Sequence, residues 1–462
     1  MPRSPNILFI MTDDQAPWTL SAEGHGNAYT PVLDRIGREG AIFRNMFANA
    51  AVCSPSRATL LTGRYPTEAG FGPDGCVHIA DEQRHLNTNL PTWPQILQNT
   101  GYRTALIGKW HLGHFRDEHL PTQCGYEKFA GYPIGGKRSK DPRIQIDGEW
   151  QTFEGQYTSD VLATLAMDTM SEWQDDPFAL SLHFWAPHAN QDLPDGFTLP
   201  YDDPTWLPLK DKDLAPWKER NIEIPDPDFP NLDIDRIDRM TREYHASVHS
   251  VDRNVGRILT FLDDTGLAKN TVVIVTSDQG YNMGHNGIWH KGNGWWITRD
   301  RRDPAGVYPG RDRPNLYDNS IRVPCVMRWP DGIEPGTAID EPVSFLDWFP
   351  TLLAIGEVPN SADKLPGHDL LPSLQKNRAA DQDNPIFAQH DKLRCCRTPE
   401  WKFILNRLAD QPDELYNLQR DPAEHDNLIQ SRDVPGVSDV YRTLKSDLLG
   451  WMKEIEDPLL AN

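Results

Sequence analysis

Short apolar runs alternate along this chain with stretches whose apolar residues have helical spacing, and this alternation constrains the fold more than any other feature. The apolar runs are predicted to be buried strands over Asn6–Met11, Arg103–Ile107, Phe178–Trp185, Thr271–Thr276 and Val323–Arg328. Helices are predicted over Pro31–Glu39, Ser54–Leu61, Thr92–Thr100, Ser159–Trp173, Met240–Asp263 and Phe345–Ile355. Buried strands that alternate with helices form a largely parallel sheet covered on both faces. The sequence therefore predicts an α/β fold with a large, mostly parallel central sheet flanked by helices.

The C-terminal part of the chain has a different pattern. Short β-like segments at Ile386–Gln389, Lys402–Leu405 and Glu414–Asn417 precede a helical segment at about Ser438–Glu456. This pattern predicts a small antiparallel sheet with one helix. We expect a catalytic α/β domain over residues 1–380 and an α+β subdomain over residues 381–462.

Two long irregular stretches interrupt the alternating pattern, at about Gly113–Gln156 and Ala189–Asp235, and both are rich in Pro, Gly and Asp. Insertions of this length in a compact domain usually build walls or lids of a binding site.

Composition excludes some classes of partner. The chain has 462 residues and a formal net charge of -21, which argues against nucleic acid as a ligand. No apolar run approaches the length of a membrane span, so no membrane association is expected. The apolar stretch within residues 1–11 is too short for a signal-peptide core, which favours a cytoplasmic location, or a periplasmic or secreted one if a leader has been removed. The six cysteines have no metal-like spacing, and a reduced compartment fits them better than a disulfide framework.

Chemically capable side chains follow four of the predicted strands. These strand ends carry Asp13 and Asp14, Lys109 and His111, His188, and Asp278 and Gln279. Ligands of open α/β sheets bind beyond the carboxyl ends of the strands. We therefore expect these side chains to meet in one site.

A fifth segment, from Cys53 to Arg64, has the features of a helix that begins at a site. Ser54 and Pro55 are typical of a helix start, and Gly63 is typical of a helix end. The backbone N–H groups and the dipole at such a helix start favour an anion. Arg57, one turn further along, is predicted to face back toward residue 53 and to hydrogen-bond its oxygens.

The acidic strand ends also predict a metal site. Asp13, Asp14, Asp278 and Gln279 offer only oxygen ligands, which favour Ca²⁺, with Mg²⁺ as second choice, over zinc. Packed carboxylates need a cation to offset their mutual repulsion. Residue 53 is expected to complete this ligand set.

The segment Cys53-Ser54-Pro55-Ser56-Arg57, followed by Leu61-Thr62-Gly63-Arg64, resembles the signature of the type I sulfatases of the alkaline phosphatase superfamily. The resemblance spans nearly the whole chain and includes a C-terminal signature that begins at Glu414. It implies the alkaline phosphatase-like fold. It also implies that a formylglycine-generating or other sulfatase-maturing enzyme converts Cys53 to formylglycine, an aldehyde that acts as nucleophile once hydrated.

The same resemblance implies roles for the other strand-end residues. Lys109 and Lys291 would contact sulfate oxygens, and His111 would partner the formylglycine hydroxyl. His188 would contact sulfate and give a proton to the leaving oxygen. Lys109 and His111 are two residues apart, so in an extended segment they would project to the same side.

Residues near Lys291 predict a substrate subsite. His285, His290, Trp289 and Arg299 lie in an aromatic and basic stretch that can stack on sugar or aryl groups and pair with sulfate or carboxylate. A packed loop with solvated charges is the alternative reading of this stretch.

Taken as a set, these residues predict a formylglycine- and Ca²⁺-dependent sulfatase. The expected partner is a small-molecule or oligosaccharide sulfate ester, with a sulfated saccharide favoured. Two alternatives remain open on the same scaffold, a phosphoester or phosphonate monoester hydrolase and an arylsulfatase with no sugar preference. A non-catalytic glycan-binding relative would have lost nucleophile or metal residues, and those residues are present here.

Overall fold

The computed structural model describes residues 4–72, 75–78, 81–135, 138–190, 205–359, 364–376, 384–409 and 411–461. Among them an eleven-stranded mixed sheet forms the centre of the molecule. Its strands are β1 (Asn6–Thr12), β2 (Ala41–Phe47), β3 (Arg103–Lys109), β4 (Lys128–Tyr132), β5 (Arg143–Ile146), β6 (Glu149–Thr152), β7 (Phe178–His183), β8 (Thr271–Ser277), β12 (Arg322–Arg328), β13 (Thr337–Ile339) and β14 (Val343–Ser344). A separate three-stranded sheet contains β9 (Ile288–Trp289), β10 (Asn293–Trp296) and β11 (Asp312–Pro314).

The middle of the central sheet is parallel. Its strand order is β13-β2-β12-β8-β1-β7-β3-β4-β5-β6, with β14 paired to β2. Strands β8, β1, β7, β3 and β4 run in the same direction, while β12 and the β5–β6 hairpin pair antiparallel to their neighbours. The predicted α/β class with a mostly parallel sheet is confirmed. The parallel strands bring their carboxyl ends to one edge of the sheet.

Helices cover both faces of this sheet because successive side chains of a strand point to opposite sides. Phe9 of β1 packs with Trp93 and Trp348 on one face, whereas Ile10 belongs to a second cluster with Val255 on the other face. The helices are α1 (Pro31–Glu39), α2 (Cys53–Thr62), α3 (Trp93–Gln98), α4 (Thr158–Glu172), α5 (Asp211–Lys218), α6 (Ile234–Asp264), α7 (Asp318–Ile321), α8 (Trp348–Ile355), α9 (Leu371–Lys376) and α10 (Val437–Glu454). The described helices include none long and apolar enough to cross a membrane.

A four-stranded antiparallel sheet and α10 form the C-terminal part of the described chain. The strands are β15 (Ile386–His390), β16 (Leu393–Arg397), β17 (Trp401–Asn406) and β18 (Glu414–Asn417), in that order. One face packs on α10 and the other on the central part of the molecule. The predicted boundary between residues 380 and 381 lies outside the described residues and stays a prediction.

Buried ion pairs join the C-terminal sheet to the central part. Glu414 accepts a hydrogen bond from Arg313 at 2.9 Å, and both side chains are almost completely buried. Lys402 contacts Asp318 and Glu424, each at 2.7 Å. Glu424 also accepts a hydrogen bond from the Asp318 N–H at 2.6 Å. The C-terminal signature residues Glu414 and Glu424 therefore hold the two parts of the molecule together.

The structure also corrects several predicted boundaries. The helix predicted from Met240 begins at Ile234, where the Asp233 side chain accepts a hydrogen bond from the Arg236 N–H and caps the helix. The first irregular stretch contains strand β4 and the β5–β6 hairpin, and the second contains α5. Residues 191–204 of that second stretch lie outside the described residues.

Candidate active site

The loops after β1 and β8 meet at the carboxyl edge of the sheet. The two strands are parallel neighbours in a register that aligns Thr12 with Ser277. Backbone and side chain then join the loops, because the Asp278 N–H donates to the Thr12 carbonyl at 3.0 Å and the Asp14 N–H donates to Asp278 Oδ1 at 3.1 Å. Asp14 takes a positive φ of 67° at this turn. The acidic residues of the two strand ends are thereby held against each other and buried.

Helix α2 places Cys53 beside these carboxylates. Every residue of the helix is buried, and Gly63 ends it with a φ of 64°. The Cys53 Sγ donates to Asp13 Oδ1 at 3.4 Å. The segment before the helix is held by backbone pairing, in which the Gln389 N–H donates to the Asn49 carbonyl and the Gly292 N–H to the Ala51 carbonyl, both at 3.0 Å.

Three buried cations surround the same carboxylates. The Arg57 guanidinium donates to Asp278 Oδ2 from Nε at 2.9 Å and contacts it from Nη2 at 2.8 Å. Lys109 Nζ contacts Asp13 Oδ2 at 2.5 Å. Lys291 Nζ donates to Asp14 and lies 2.9 Å from the Cys53 Sγ. We call this group of buried carboxylates and cations around Cys53 the cleft. It combines anionic oxygens with cations that can hold an anion.

Burial and crowding shift the pKa values of the carboxylates. Burial raises the pKa of Asp278 well above its ordinary value, and the Asp13 carboxylate adds to this shift while Arg57 opposes it. Burial also raises the pKa of Asp14, against the opposing charge of Lys291. Carboxylates that resist ionisation next to one another favour binding of a positive ion.

The surroundings of Cys53 favour its thiolate. Burial by itself would raise the pKa of this thiol, but hydrogen bonding with Cys76 and the ammonium groups of Lys109 and Lys291 lower it well below its ordinary value. His111 also interacts with the thiol. A negative group at residue 53 is therefore stabilised by its neighbours and by the helix N-terminus.

The oxygen-rich cluster fits a hard divalent cation. Asp13 lies within 4.8 Å of Asp14 and His188, and also within 4.8 Å of Cys53 and Asp278, measured between potential ligand atoms. Gln279 donates its Nε2 to Asp14, and its buried Oε1 has no hydrogen-bond partner among the described residues. Carboxylate and amide oxygens in this number suit Ca²⁺ or Mg²⁺.

Two histidines border the cleft. The His188 Nδ1–H donates to the Ala189 carbonyl at 2.8 Å, which directs Nε2 to within 3.6 Å of Asp14 Oδ2. The His111 Nε2–H donates to the Val77 carbonyl at 2.8 Å. Burial, with the nearby Lys109 charge, lowers the pKa of His111 to about 4. His111 is therefore neutral at pH 7 and can accept a proton.

The chain matches a known protein family over most of its length. A model of the Sulfatase family matches residues 5–358, which include every residue of the cleft. The chain belongs to the sulfatase family. A second model, described as N-sulphoglucosamine sulphohydrolase, C-terminal, matches residues 306–454 of the sulfatase. The enzyme is therefore a sulfuric ester hydrolase of the alkaline phosphatase superfamily, a family whose members generally depend on a metal ion.

Known relatives of this sulfatase act on different alcohols. It is 29% identical over 436 residues to the steryl-sulfatase of Mus musculus, covering 84% of this chain and 67% of the relative. It is 26% identical over 502 residues to the N-acetylglucosamine-6-O-sulfatase of Bacteroides thetaiotaomicron, covering 92% of this chain and 83% of the relative. A solved protein in complex with its substrate D-glucosamine-2-N,6-O-disulfate shares the fold with a TM-score of 0.78, 23% identity and 99% coverage of both chains.

Most of the predicted site residues of the sulfatase lie together in the cleft. They are Asp13, Asp14, Cys53, Arg57, Lys109, His111, His188, Asp278, Gln279 and Lys291. The extended geometry predicted for Lys109 and His111 is wrong, because His111 has a φ of 65° and its N–H donates to the Pro133 carbonyl at 3.1 Å. This turn still places His111 close enough to Cys53 for the thiol to affect the pKa of the imidazole.

The residues predicted for a substrate subsite are more scattered. His290 is buried next to Lys291, and its Nδ1 lies 2.8 Å from Asn293 Oδ1. Trp289 is 2% exposed and packs in the core with Trp295, so it offers no ring face to solvent.

His285 and Arg299 lie apart from the carboxylate cluster. His285 packs against Trp18 and donates Nδ1–H to the Asn282 carbonyl. Arg299 is exposed, and its backbone N–H donates to the Asn231 carbonyl at 2.9 Å.

Sequence reasoning missed three neighbours of the site. Cys76 lies beside the start of helix α2, where its Sγ accepts a hydrogen bond from the Ser54 N–H at 3.5 Å. His183, at the end of β7, lies 3.4 Å from Arg57 Nη1. The Tyr244 hydroxyl of α6 donates to the Asp14 carbonyl. These contacts join segments far apart in the chain, and none belongs to a local motif.

Proposed function

We propose that this sulfatase hydrolyses sulfate esters of saccharides, using a formylglycine made from Cys53 and one bound calcium ion. The observation that carries the proposal is the position of the Cys53 side chain. It lies at the start of a buried helix, 3.4 Å from Asp13 Oδ1 and 2.9 Å from Lys291 Nζ. A nucleophile at this position has a metal-binding carboxylate on one side and an anion-binding ammonium on the other.

Calcium is proposed because the available ligands are oxygens. Asp13, Asp14, Asp278, Gln279 and the side chain of residue 53 would hold it. A divalent cation held there would supply positive charge that favours deprotonation of a hydroxyl group at residue 53. Conversion of Cys53 by a sulfatase-maturing enzyme would provide a hydrated aldehyde, which has two hydroxyls on one carbon.

The cations of the cleft would bind the sulfate group. Arg57, Lys109 and Lys291 are fixed by the buried carboxylates and surround residue 53. Fixed cations in a water-poor cleft stabilise charge that develops on the transferring group, which is the largest contribution in many enzymes. The helix N-terminus adds partial positive charge at the same point.

The two histidines would move protons at opposite ends of the reaction. His188 Nε2 faces the cleft, and we assign it to protonate the leaving alcohol oxygen. His111 is neutral at pH 7 and contacts residue 53, and we assign it to take the proton of the second hydroxyl as sulfate departs. One histidine thus acts as an acid and the other as a base.

A saccharide is favoured as the alcohol because of the relatives. The N-acetylglucosamine-6-O-sulfatase covers more of this chain than the steryl-sulfatase does, and the family model of the C-terminal part is named for an N-sulphoglucosamine sulphohydrolase. The net charge of -21 disfavours long polyanions, so short sulfated saccharides are the proposed substrates.

A rate comparison tests this proposal. We expect the matured enzyme to give higher kcat/KM with sulfated monosaccharides, such as glucosamine sulfates, than with nitrophenyl sulfate. Faster hydrolysis of nitrophenyl sulfate than of every sugar sulfate would indicate an arylsulfatase. Faster hydrolysis of the phosphate than the sulfate ester of one alcohol would indicate a phosphoester hydrolase. Peptide mass spectrometry of the same preparation measures the conversion of Cys53 to the aldehyde.

A further inference from the structure

Strand β7 leads into a turn that is fixed to the end of strand β1. The Phe184 N–H donates to the Met11 carbonyl at 2.8 Å. Two residues further on, the Ala186 carbonyl accepts a hydrogen bond from the Asp13 N–H at 3.4 Å. Trp185 lies between these two bonded residues, so its backbone is held beside the acidic end of β1.

The Trp185 indole contacts two functional side chains of the cleft. The Lys109 ammonium lies over the ring, with Nζ 5.4 Å from the ring centroid. The His188 imidazole packs on the indole with the centroids 4.1 Å apart and an angle of 30° between the planes. The indole is 3% exposed, so it does not reach a bound substrate. Any effect that it has on hydrolysis passes through the side chains that it contacts.

The ring gives each of these side chains a second contact. Lys109 Nζ contacts Asp13 Oδ2 at 2.5 Å, and the negative face of the indole attracts the same ammonium. This attraction is strongest where water is excluded, as it is for the buried Lys109. The imidazole of His188 is bonded through Nδ1–H to the Ala189 carbonyl, and stacking on the indole limits its tilt about that bond.

We infer that Trp185 is a positioning residue, which holds the Lys109 ammonium and the His188 imidazole in the directions needed at the transferring sulfate group. The inference rests on the proposed function, because it takes Lys109 as a sulfate contact and His188 as the group at the leaving oxygen. Displacement of a catalytic group by about 1 Å can lower a rate by roughly 10²-fold. Loss of the indole should therefore slow hydrolysis although the indole does not touch the substrate.

Double-mutant cycles on the matured enzyme test this role, with whichever of nitrophenyl sulfate and a glucosamine sulfate is hydrolysed faster. Trp185→Leu should lower kcat/KM by at least about tenfold. In a Lys109→Ala or a His188→Ala background, the same replacement should cost at least about threefold less than in the wild type, because one of the positioned groups is gone. An undiminished cost in either background would overturn the inference and leave Trp185 as a packing residue.

The cycles separate this inference from the proposed function. Coupling between Trp185 and His188 is measured in the same way whether His188 gives a proton or contacts sulfate. Failure of the proposed function would instead appear in the single variants, as an unchanged kcat/KM in Lys109→Ala or His188→Ala.

Fluorinated tryptophans introduced at residue 185 test the ring without a change in its fold or packing. Successive fluorination weakens the negative face of the indole, and with it the attraction for a cation. We expect kcat/KM to fall progressively from tryptophan through mono-, di- and trifluorotryptophan, and this trend to be absent in Lys109→Ala. The measurement stands even if Trp185→Leu does not fold. A kcat/KM that is independent of the number of fluorine atoms would overturn the inference.

Trp173→Leu is the matched control. Trp173 is 1% exposed and the Arg103 guanidinium lies over its ring, 4.7 Å from the centroid, but neither residue belongs to the cleft. Its replacement removes a buried indole and a cation contact of the same kind. It should lower the unfolding temperature and leave kcat/KM of the folded enzyme unchanged. An equal loss of kcat/KM in Trp173→Leu and Trp185→Leu would assign both losses to general destabilisation and overturn the inference.

Discussion

Replacement of His188 by alanine should separate sugar sulfates from activated aryl sulfates. A sugar alkoxide is strongly basic and needs a proton as the S–O bond breaks, whereas nitrophenolate leaves without one. General acid catalysis contributes about 10²–10⁴-fold, which corresponds to about 2.7–5.5 kcal/mol of activation free energy. We therefore expect kcat/KM for sugar sulfates to fall by this factor in His188→Ala and that for nitrophenyl sulfate to fall by less than about tenfold.

The structure explains why a ratio is the correct measure. The His188 ring packs on Trp185 with centroids 4.1 Å apart, and its Nδ1–H donates to the Ala189 carbonyl. Loss of these contacts alters the cleft for both substrates, so it cancels in the ratio of the two kcat/KM values. Only the proton that Nε2 gives to the leaving oxygen remains in that ratio.

Steady-state kinetics with both substrates, for the wild type and three variants, complete the assay. His188→Gln keeps a polar side chain without an acidic proton, and it should show the same selective loss as His188→Ala. His285→Ala is the matched control, because this half-buried histidine contacts Trp18 and Asn282 rather than the carboxylates. Its effect should be the same for both substrates. Equal losses for sugar and nitrophenyl sulfates in His188→Ala would refute the acid role and leave His188 as a sulfate contact.

Three further expectations follow from the same geometry. Dialysis against a chelator should abolish activity, and calcium should restore activity better than zinc. Two zinc ions per active chain, measured by elemental analysis, would contradict the proposal that oxygen ligands bind one calcium ion. Lys109→Ala and Lys291→Ala should each lower kcat/KM by about 10² or more, and the loss should be the same for every sulfate ester. A loss that varied with the alcohol would indicate that the lysine recognises the alcohol rather than the sulfate. Burial lowers the pKa of His245 to about 3, so the unfolded protein binds a proton at this histidine more readily than the folded protein does. The neutral His245 therefore contributes stability above its unfolded pKa of 6.5, and this contribution is lost as the pH falls below 6.5. His245→Phe should therefore gain about 1.4 kcal/mol of relative stability per pH unit between pH 6.5 and 4.5, measured by chemical unfolding, and a constant difference from wild type would exclude this histidine as the cause.

The parallel strands were predictable because their apolar runs are local. Strands β1, β3, β7 and β8 are buried on both faces, so each is a continuous apolar segment that needs no partner to be recognised. Their polar ends then place the acidic residues at one edge. For this reason the residues of the site could be predicted from the sequence.

The strands that were missed have patterns that depend on distant partners. Strand β16 contains Arg394, which is fully buried because Asp457 pairs with it at 2.5 Å from a position 63 residues away. Strand β2 carries the exposed Arg44 between the buried Phe43 and the half-buried Asn45. The β6 strand is exposed throughout, so it has no apolar alternation. A charged or uniformly exposed strand gives no local signal of its pairing.

The site neighbours outside the motifs could not be predicted for the same reason. Cys76 lies beside the start of helix α2 because residues 76 and 77 form hydrogen bonds with Ser54 and His111. His183 lies within the predicted strand Phe178–Trp185, but its position beside Arg57 depends on the order β1-β7-β3 in the sheet. Trp289, which was predicted to line a substrate subsite, packs in the core, and its burial could not be seen from the local sequence.

The backbone pairing in front of helix α2 determines when the segment around Cys53 can reach its native structure during synthesis. Ala50, three residues before Cys53, forms a β-bridge with Gln389, and Asn49 accepts a hydrogen bond from the same residue. The ribosome adds about 5–20 residues per second, so the partner of Ala50 emerges roughly 20–70 s after Ala50 itself. Throughout that interval the peptide around Cys53 lacks this native partner. The length of chain between the two residues therefore sets how long the segment around Cys53 lacks its native pairing. Chemistry at Cys53 that requires an unpaired peptide has to be complete before Gln389 is synthesised and pairs with Ala50.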